Sequence, residues 1–190
     1  MEQCQDSGST CYNRHPDIFG QAKGILPRNQ HIRVLSFGCS SGEEVRTLRD
    51  LGGSFWHVDG AEVQPALLAK ARSADPKGTY VADARVLPVE HYDAIFCMSV
   101  LCRFCSPPSA FPFEAFERAL SVVVDLLRPG GLLVVYNAQY DVRETNLPLE
   151  PLPGEVFGGS GFVPKFTKSM DSEIPADIAK AIPYLYRKSS

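Results

Sequence analysis

The stretch IRVLSFGCSSGEEVRTLR, residues 32–49, decides the fold. Ile32, Val34, Leu35 and Phe37 form a short β-branched and aromatic run, which suits a buried parallel strand better than a surface helix. Gly38, Cys39, Ser40, Ser41 and Gly42 follow, small residues that let something lie against bare backbone. Glu43 and Glu44 stand where a helix starts, favourable beside its positive end, and Val45 and Leu48 continue at helical spacing. Strand, small-residue turn and helix start read as the first βα unit of a nucleotide-type α/β fold.

The turn does not suit a phosphate. No G-x-x-x-x-G-K-[ST] is present, and Ser40 occupies the position of the second glycine of G-x-G-x-x-G. Two carboxylates beside the turn would repel a pyrophosphate. They suit a ligand with positive charge and hydroxyls, and S-adenosyl-L-methionine (SAM), with its sulfonium, ammonium and ribose, meets that description. A nicotinamide dinucleotide is disfavoured on the same grounds.

The 190 residues, 44% of them hydrophobic, suffice for one α/β domain with a real core. Lys and Arg total 19 against 22 Asp and Glu, scattered along the chain, so there is no electrostatic footprint for nucleic acid or an anionic membrane. No apolar run approaches the roughly 20 residues of a membrane helix, and MEQCQDSGST lacks the apolar core of a signal peptide, so a cytoplasmic location is expected. Cys102 and Cys105 have metal-knuckle spacing, but no second pair or nearby His completes a site, and the six cysteines read as reduced, structural thiols.

Residues 1–30 are expected to form an N-terminal helical segment covering the ligand face, and residues 31–190 the binding domain. Ser54 to Val63 reads as a second strand, followed by Pro65 and the helix ALLAKAR. Glu62 falls at the end of that strand, where a carboxylate accepts hydrogen bonds from ribose hydroxyls, with Val63 beside it. Asp59 competes for this role, although counting back from the helix favours Glu62; helix capping is the bland alternative. Gly78 to Ala82 gives a third strand, with Asp83 and Ala84 at its end. Asp83 could accept from an adenine amine and the Ala84 N–H could donate to a ring nitrogen, against the plain reading of a turn aspartate.

Tyr92 and Asp93 lead into Ala94 to Leu101, a nearly continuous apolar strand ending in the same crevice, so Ser99, Val100 and Leu101 are candidates to line the pocket. Phe113 to Leu127 has helical spacing, and Arg128 to Gly131 turns it into a fifth strand, Leu132 to Tyr136. Phe157 to Lys168 and Ala181 to Lys188 read as two last strands, a C-terminal antiparallel hairpin on a mostly parallel, seven-stranded Rossmann-like sheet. Residues 139–156 read as a mobile loop.

These landmarks resemble class I SAM-dependent methyltransferases over essentially the whole chain, through VLSFGCSSGEE, GAEVQPALLAKAR, VADARVLP, YDAIFCMSVL and LLRPGGLLVVYN. Three pieces are similar to the CheR-type chemotaxis methyltransferases, which esterify receptor glutamates: GCSSGEE, YDAIFCMSVLCRF and TCYNRHPDIF. The likeness implies that Thr10 and Arg14 reach the SAM pocket or a substrate carboxylate. It further implies that Glu43 and Glu62 hold SAM, and that Asp83 and Ala84 frame the adenine. Ser99 stands where that family usually has Asn. Chemoreceptor recognition is not carried over.

The expected chemistry is methyl transfer from SAM, leaving S-adenosyl-L-homocysteine (SAH), to a carboxylate of a protein or small molecule. Such an acceptor needs no base, and Arg14 would orient it. A hydroxyl or amine acceptor needs one, for which His15, Tyr12 and Tyr140 are candidates. The alternatives are N- or O-methylation of another small molecule or peptide, and an inactive SAM-binding regulatory module.

Overall fold

A computed structural model describes residues 8–103, 108–153, 161, 163–169 and 172–189. Ile32–Phe37 forms strand β1, Trp56–Ala61 β2, Thr79–Val81 β3, Tyr92–Met98 β4, Leu127–Tyr136 β5, Leu149–Pro151 β6 and Leu185–Lys188 β7. Helices α1 (Pro16–Ile25), α2 (Glu43–Gly52), α3 (Pro65–Ala74), α4 (Phe113–Leu126) and α5 (Ala176–Ala179) complete the elements. The seven strands make one sheet in the order β3-β2-β1-β4-β5-β7-β6. The first five are parallel, and β7 runs antiparallel to both β5 and β6.

The apolar run of residues 32–37 sits between β2 and β4, with Val34 opposite Val58 on one side and Ala94 on the other. Because side chains alternate, Ile32 and Val34 enter the core shared with α1, α2 and α3, while Leu35 and Phe37 enter the core shared with α4. A strand buried on both faces can be apolar throughout. Helix α4 presents Phe116, Leu120 and Val123, all fully buried, and each such side chain contributes roughly 1.5–3 kcal/mol of burial.

Three expectations need correction. Arg128 to Gly131 does not separate α4 from the fifth strand but belongs to β5. The register jumps from Tyr92 opposite Leu127 to Ala94 opposite Leu132, with Gly130 at φ 73° taking up the bulge. The second strand is shorter than expected, since Gly53–Phe55 winds into a 3-10 turn. At the C-terminus, residues 154–160 and 162 lie outside the described residues, and Val163 to Ser169 contribute no strand, only an isolated bridge between Phe166 and Glu173. The antiparallel partner of β7 is β6, inside the stretch expected to be loop. A three-residue strand ending in Pro151 is tolerated because it lies at the sheet edge, where a missing N–H leaves no ladder bond unmade.

Candidate functional site

The chain leaves β1 toward β2 on one side and reaches β4 on the other, so β1 and β4 flank a switch point whose crevice lies beyond their carboxyl ends. The small-residue turn sits there. Gly38 (φ 76°), Ser40 (φ 51°) and Gly42 (φ 90°) are all left-handed, and the Gly38 and Cys39 N–H groups donate to the Ala61 carbonyl at 2.8 and 3.0 Å. A Cβ on Gly38 would come within 2.4 Å of Val100 Cγ2, so the end of β4 rests directly on the turn.

Glu62, 3% exposed, lies just past β2 and links two turns: Oε2 accepts from the Ser40 N–H at 2.9 Å and Oε1 from the Gln64 N–H at 2.8 Å. Val63 follows it, half-buried. Asp59 is inside β2, opposite Leu35, and accepts from the Tyr92 hydroxyl at 2.9 Å. It is a carboxylate of the sheet interior, which leaves Glu62 as the acid at the strand end.

The two glutamates that open α2 diverge. Glu43 accepts from the Ser41 hydroxyl at 2.8 Å and lies 3.7 Å from Arg46. Glu44 turns inward and accepts from the Ser36 hydroxyl at 2.7 Å. Burial pushes the Glu44 carboxyl up to about 8, opposed by that hydroxyl and by the Arg14 charge. Sequence reasoning selected Glu43; the signal for Glu44 was its i,i+4 spacing to buried Leu48.

The N-terminal segment runs across the turn and along α2. Ser40 Oγ donates to the Gly8 carbonyl, the Asn13 N–H to Thr47 Oγ1 at 2.9 Å, and the Tyr12 hydroxyl to Asp50 at 2.8 Å. Thr10 lies between these anchors, half-buried, and exposed Arg14 donates to the Ser9 carbonyl at 2.8 Å. His15 packs against Tyr136, at the end of β5, with ring centroids 4.8 Å apart and the rings tilted by 57°. Burial and the neighbouring Arg14 charge lower its pKa to about 4, and Nε2 is enclosed without a hydrogen-bond partner.

The other candidates divide. Asp83 is gripped by Arg85 through Nε and Nη2 and by the Arg85 N–H, which hold its carboxyl well below the usual range; Ala84 is fully buried beside it. Ser99 follows β4 with φ 59° and donates its N–H to the Tyr136 carbonyl at 2.9 Å. Leu101, 1% exposed, packs with Val100 in the core shared with α4. The Cys39 thiol is packed under Gly60 and Tyr80, and burial raises its pKa strongly. Of the candidate bases, Tyr12 is committed to Asp50, and Tyr140, 1% exposed, donates to the Phe111 carbonyl at 2.9 Å, so neither faces the turn as a free base.

Cys11 is exposed, Cys39, Cys97 and Cys102 are buried, Cys4 and Cys105 lie outside the described residues, and no metal-binding cluster occurs among the described residues. Asn137, Gln139 and Lys165, all about 1–2% exposed, gather beyond β5. Sequence reasoning missed them because Asn137 stands just past the fifth strand, Gln139 opens the stretch read as loop, and Lys165 lies in the stretch read as a terminal strand. A separate cleft of about 500 Å³, lined by Lys23, Arg28, Phe55 and Trp56 among others, lies at the opposite, amino ends of β1 and β2.

Glu44 is partly buried, and desolvation pushes its carboxyl up to about 8, so a cation placed near it would favour the ionised form and a phosphate would not.

A search of curated proteins gave no match. Among solved structures, a SAM-dependent methyltransferase from Mesorhizobium loti is 26% identical with a TM-score of 0.44, covering 60% of this chain and 50% of that one. SAM-bound CalS10, an amino pentose methyltransferase from Micromonospora echinaspora, is 22% identical with a TM-score of 0.51, covering 78% and 61%; it shares the fold. The chain thus spans half to three fifths of the length of these two. Residues 35–135 match the family model described as a methyltransferase domain, more than half of the chain, and the chain belongs to that family, with the class I, SAM-dependent fold.

Proposed function

We propose that this chain is an active SAM-dependent methyltransferase that esterifies a carboxylate on a protein or small molecule, in the manner of the CheR-type enzymes. When bound, SAM supplies an electrophilic methyl group on a sulfonium that departs as a neutral thioether, forming SAH. In this reading Glu62 accepts from the ribose hydroxyls. Glu44, rather than Glu43, faces the cationic end. Gly38, Ser40 and Gly42 provide the bare backbone, Ser99 and Val100 the wall, and Asp83 and Ala84 the adenine edge. Residues 1–30 cover the donor site, with Thr10 and Arg14 at its mouth.

The observation that carries a carboxylate acceptor is the state of the nearby bases. His15, with its pKa lowered to about 4, is a weak base at neutral pH, and both tyrosines are tied to other partners. A hydroxyl or ammonium acceptor would need a stronger base in reach. A carboxylate is already ionised, so its oxygen bonds to the methyl carbon as the carbon–sulfur bond breaks, and no proton moves. Exposed Arg14 is the cation suited to orient it. Free thiols at Cys11 and Cys39 support a reducing, cytoplasmic setting, and the scattered basic residues argue against nucleic acid. Among the described residues, no helix is long and apolar enough to cross a membrane.

The test combines calorimetry with SAM and SAH and a methyl-label screen over carboxylate, hydroxyl and amine acceptors. A base-labile label is expected, and label stable to base refutes the ester. Arg14→Ala should lower turnover with little change in SAM affinity; equal loss of both would make Arg14 a donor ligand or a structural residue.

A further inference from the structure

Strands β4 and β5 end together, with Met98 opposite Tyr136, and both chains leave the sheet at the next residue in a left-handed conformation, Ser99 at φ 59° and Asn137 at φ 61°. Neither is glycine. Such conformations cost of order 1 kcal/mol each and persist where surrounding contacts impose them. Here the contacts are visible. Asn137 is 1% exposed; its Oδ1 accepts from the Val163 N–H at 2.7 Å and its Nδ2 donates to Ser99 Oγ at 3.0 Å.

The orientation of the carboxamide is dictated by its partners. The Val163 N–H can only donate, so Oδ1 must face it and Nδ2 must face Ser99. Ser99 Oγ therefore accepts from Asn137, and its own hydroxyl hydrogen remains to be donated. Gly161 closes the arrangement, since a Cβ there would lie 2.4 Å from Asn137 Oδ1 and 2.5 Å from its Cα. The attachment continues with the Phe166 N–H donating to the Gln139 carbonyl at 3.0 Å and Lys165 Nζ donating to the Ala138 carbonyl. On the other side of Ser99, Val100 rests on Gly38 of the turn.

One carboxamide thus joins the residue beside the turn to the C-terminal segment at Gly161 and Val163. We propose that Asn137 is a positioning residue of the donor site: it fixes Ser99 as a hydrogen-bond donor toward the bound donor molecule and couples that wall to the segment carrying Val163. The sheet does not require the bridge, because β4 and β5 are already paired through Met98 and Tyr136. This rests on the methyltransferase reading above.

The test is SAH calorimetry on the full chain as wild type, Ser99→Ala, Asn137→Asp and the double variant. Asp tolerates the left-handed backbone and keeps an acceptor for the Val163 N–H, but its carboxylate draws the Ser99 hydroxyl hydrogen onto itself. Each single change is expected to weaken SAH by about three- to tenfold, and the double variant by no more than either alone. Retained hydrogen-exchange protection at the Val163 amide shows that Asn137→Asp keeps the fold, and a purely structural role would lower the unfolding midpoint without moving SAH affinity. An Asn137→Asp affinity within twofold of wild type, or additive losses, overturns the proposal while the methyltransferase reading stands. Absence of SAH binding to wild type removes both.

Discussion

Replacing Glu44 by Gln tests the electrostatics of the site without any knowledge of the acceptor. The wild-type carboxyl is pushed from an ordinary 4.5 to about 8 by burial. Below pH 4.5 the group is protonated in both folded and unfolded chains and contributes no pH dependence. Between 4.5 and about 8 the unfolded chain releases the proton first, so folding stability falls as pH rises; above about 8 the loss is constant. At 1.36 kcal/mol per tenfold change in proton activity, the fall from pH 5 to pH 7.5 is roughly 3 kcal/mol as an upper figure. For a domain of this size that is about 6–12 °C in Tm. Gln keeps an acceptor for the Ser36 hydroxyl but carries no charge. The Tm of Glu44→Gln minus that of wild type, followed by calorimetry from pH 5 to 8, should therefore widen by several degrees with rising pH. A pH-independent difference refutes the buried, neutral carboxyl. Where the donor places its cation near Glu44, binding near pH 7 should also release a proton, seen as a binding enthalpy that depends on buffer in wild type and not in the variant.

Gly38→Ala should destabilise through two separable causes, the left-handed dihedral and the 2.4 Å approach to Val100 Cγ2, and should abolish SAH binding. Adding Val100→Ala should recover the steric part only; full recovery of stability would show that the dihedral costs nothing. Tyr92→Phe deprives buried Asp59 of a hydroxyl donor and should cost about 1–3 kcal/mol in denaturant unfolding, with an unchanged midpoint counting against the pair. The His15 ring, titrated by NMR, should stay neutral down to near pH 5, since its pKa is lowered to about 4. Its contribution to stability is present above pH 6.5 and lost as pH falls from 6.5 toward 4, and a midpoint near 6.5 would contradict its burial against Tyr136.

The sequence by itself determined the parallel half of the molecule. Apolar runs such as residues 32–37 and 94–97, bounded by glycine turns and by Pro65, admit few arrangements other than βα repeats, and the place of Glu62 followed from counting along them. Local pattern was enough there because the central strands β1 and β4 are almost wholly buried and so read as apolar runs. It failed at the C-terminal end, where β6 is three residues at a sheet edge and carries almost no periodicity. Only the tertiary structure decided which of two adjacent glutamates turns inward, that Asp83 is held by Arg85, and that Leu101 and the Cys39 thiol face the core. It alone brought Asn137 to Ser99 and Val163, across 38 and 26 residues of chain. Side-chain partners of that kind are fixed by which elements pack together and by the need of every buried polar atom for a partner, and neither is written in the residues nearby.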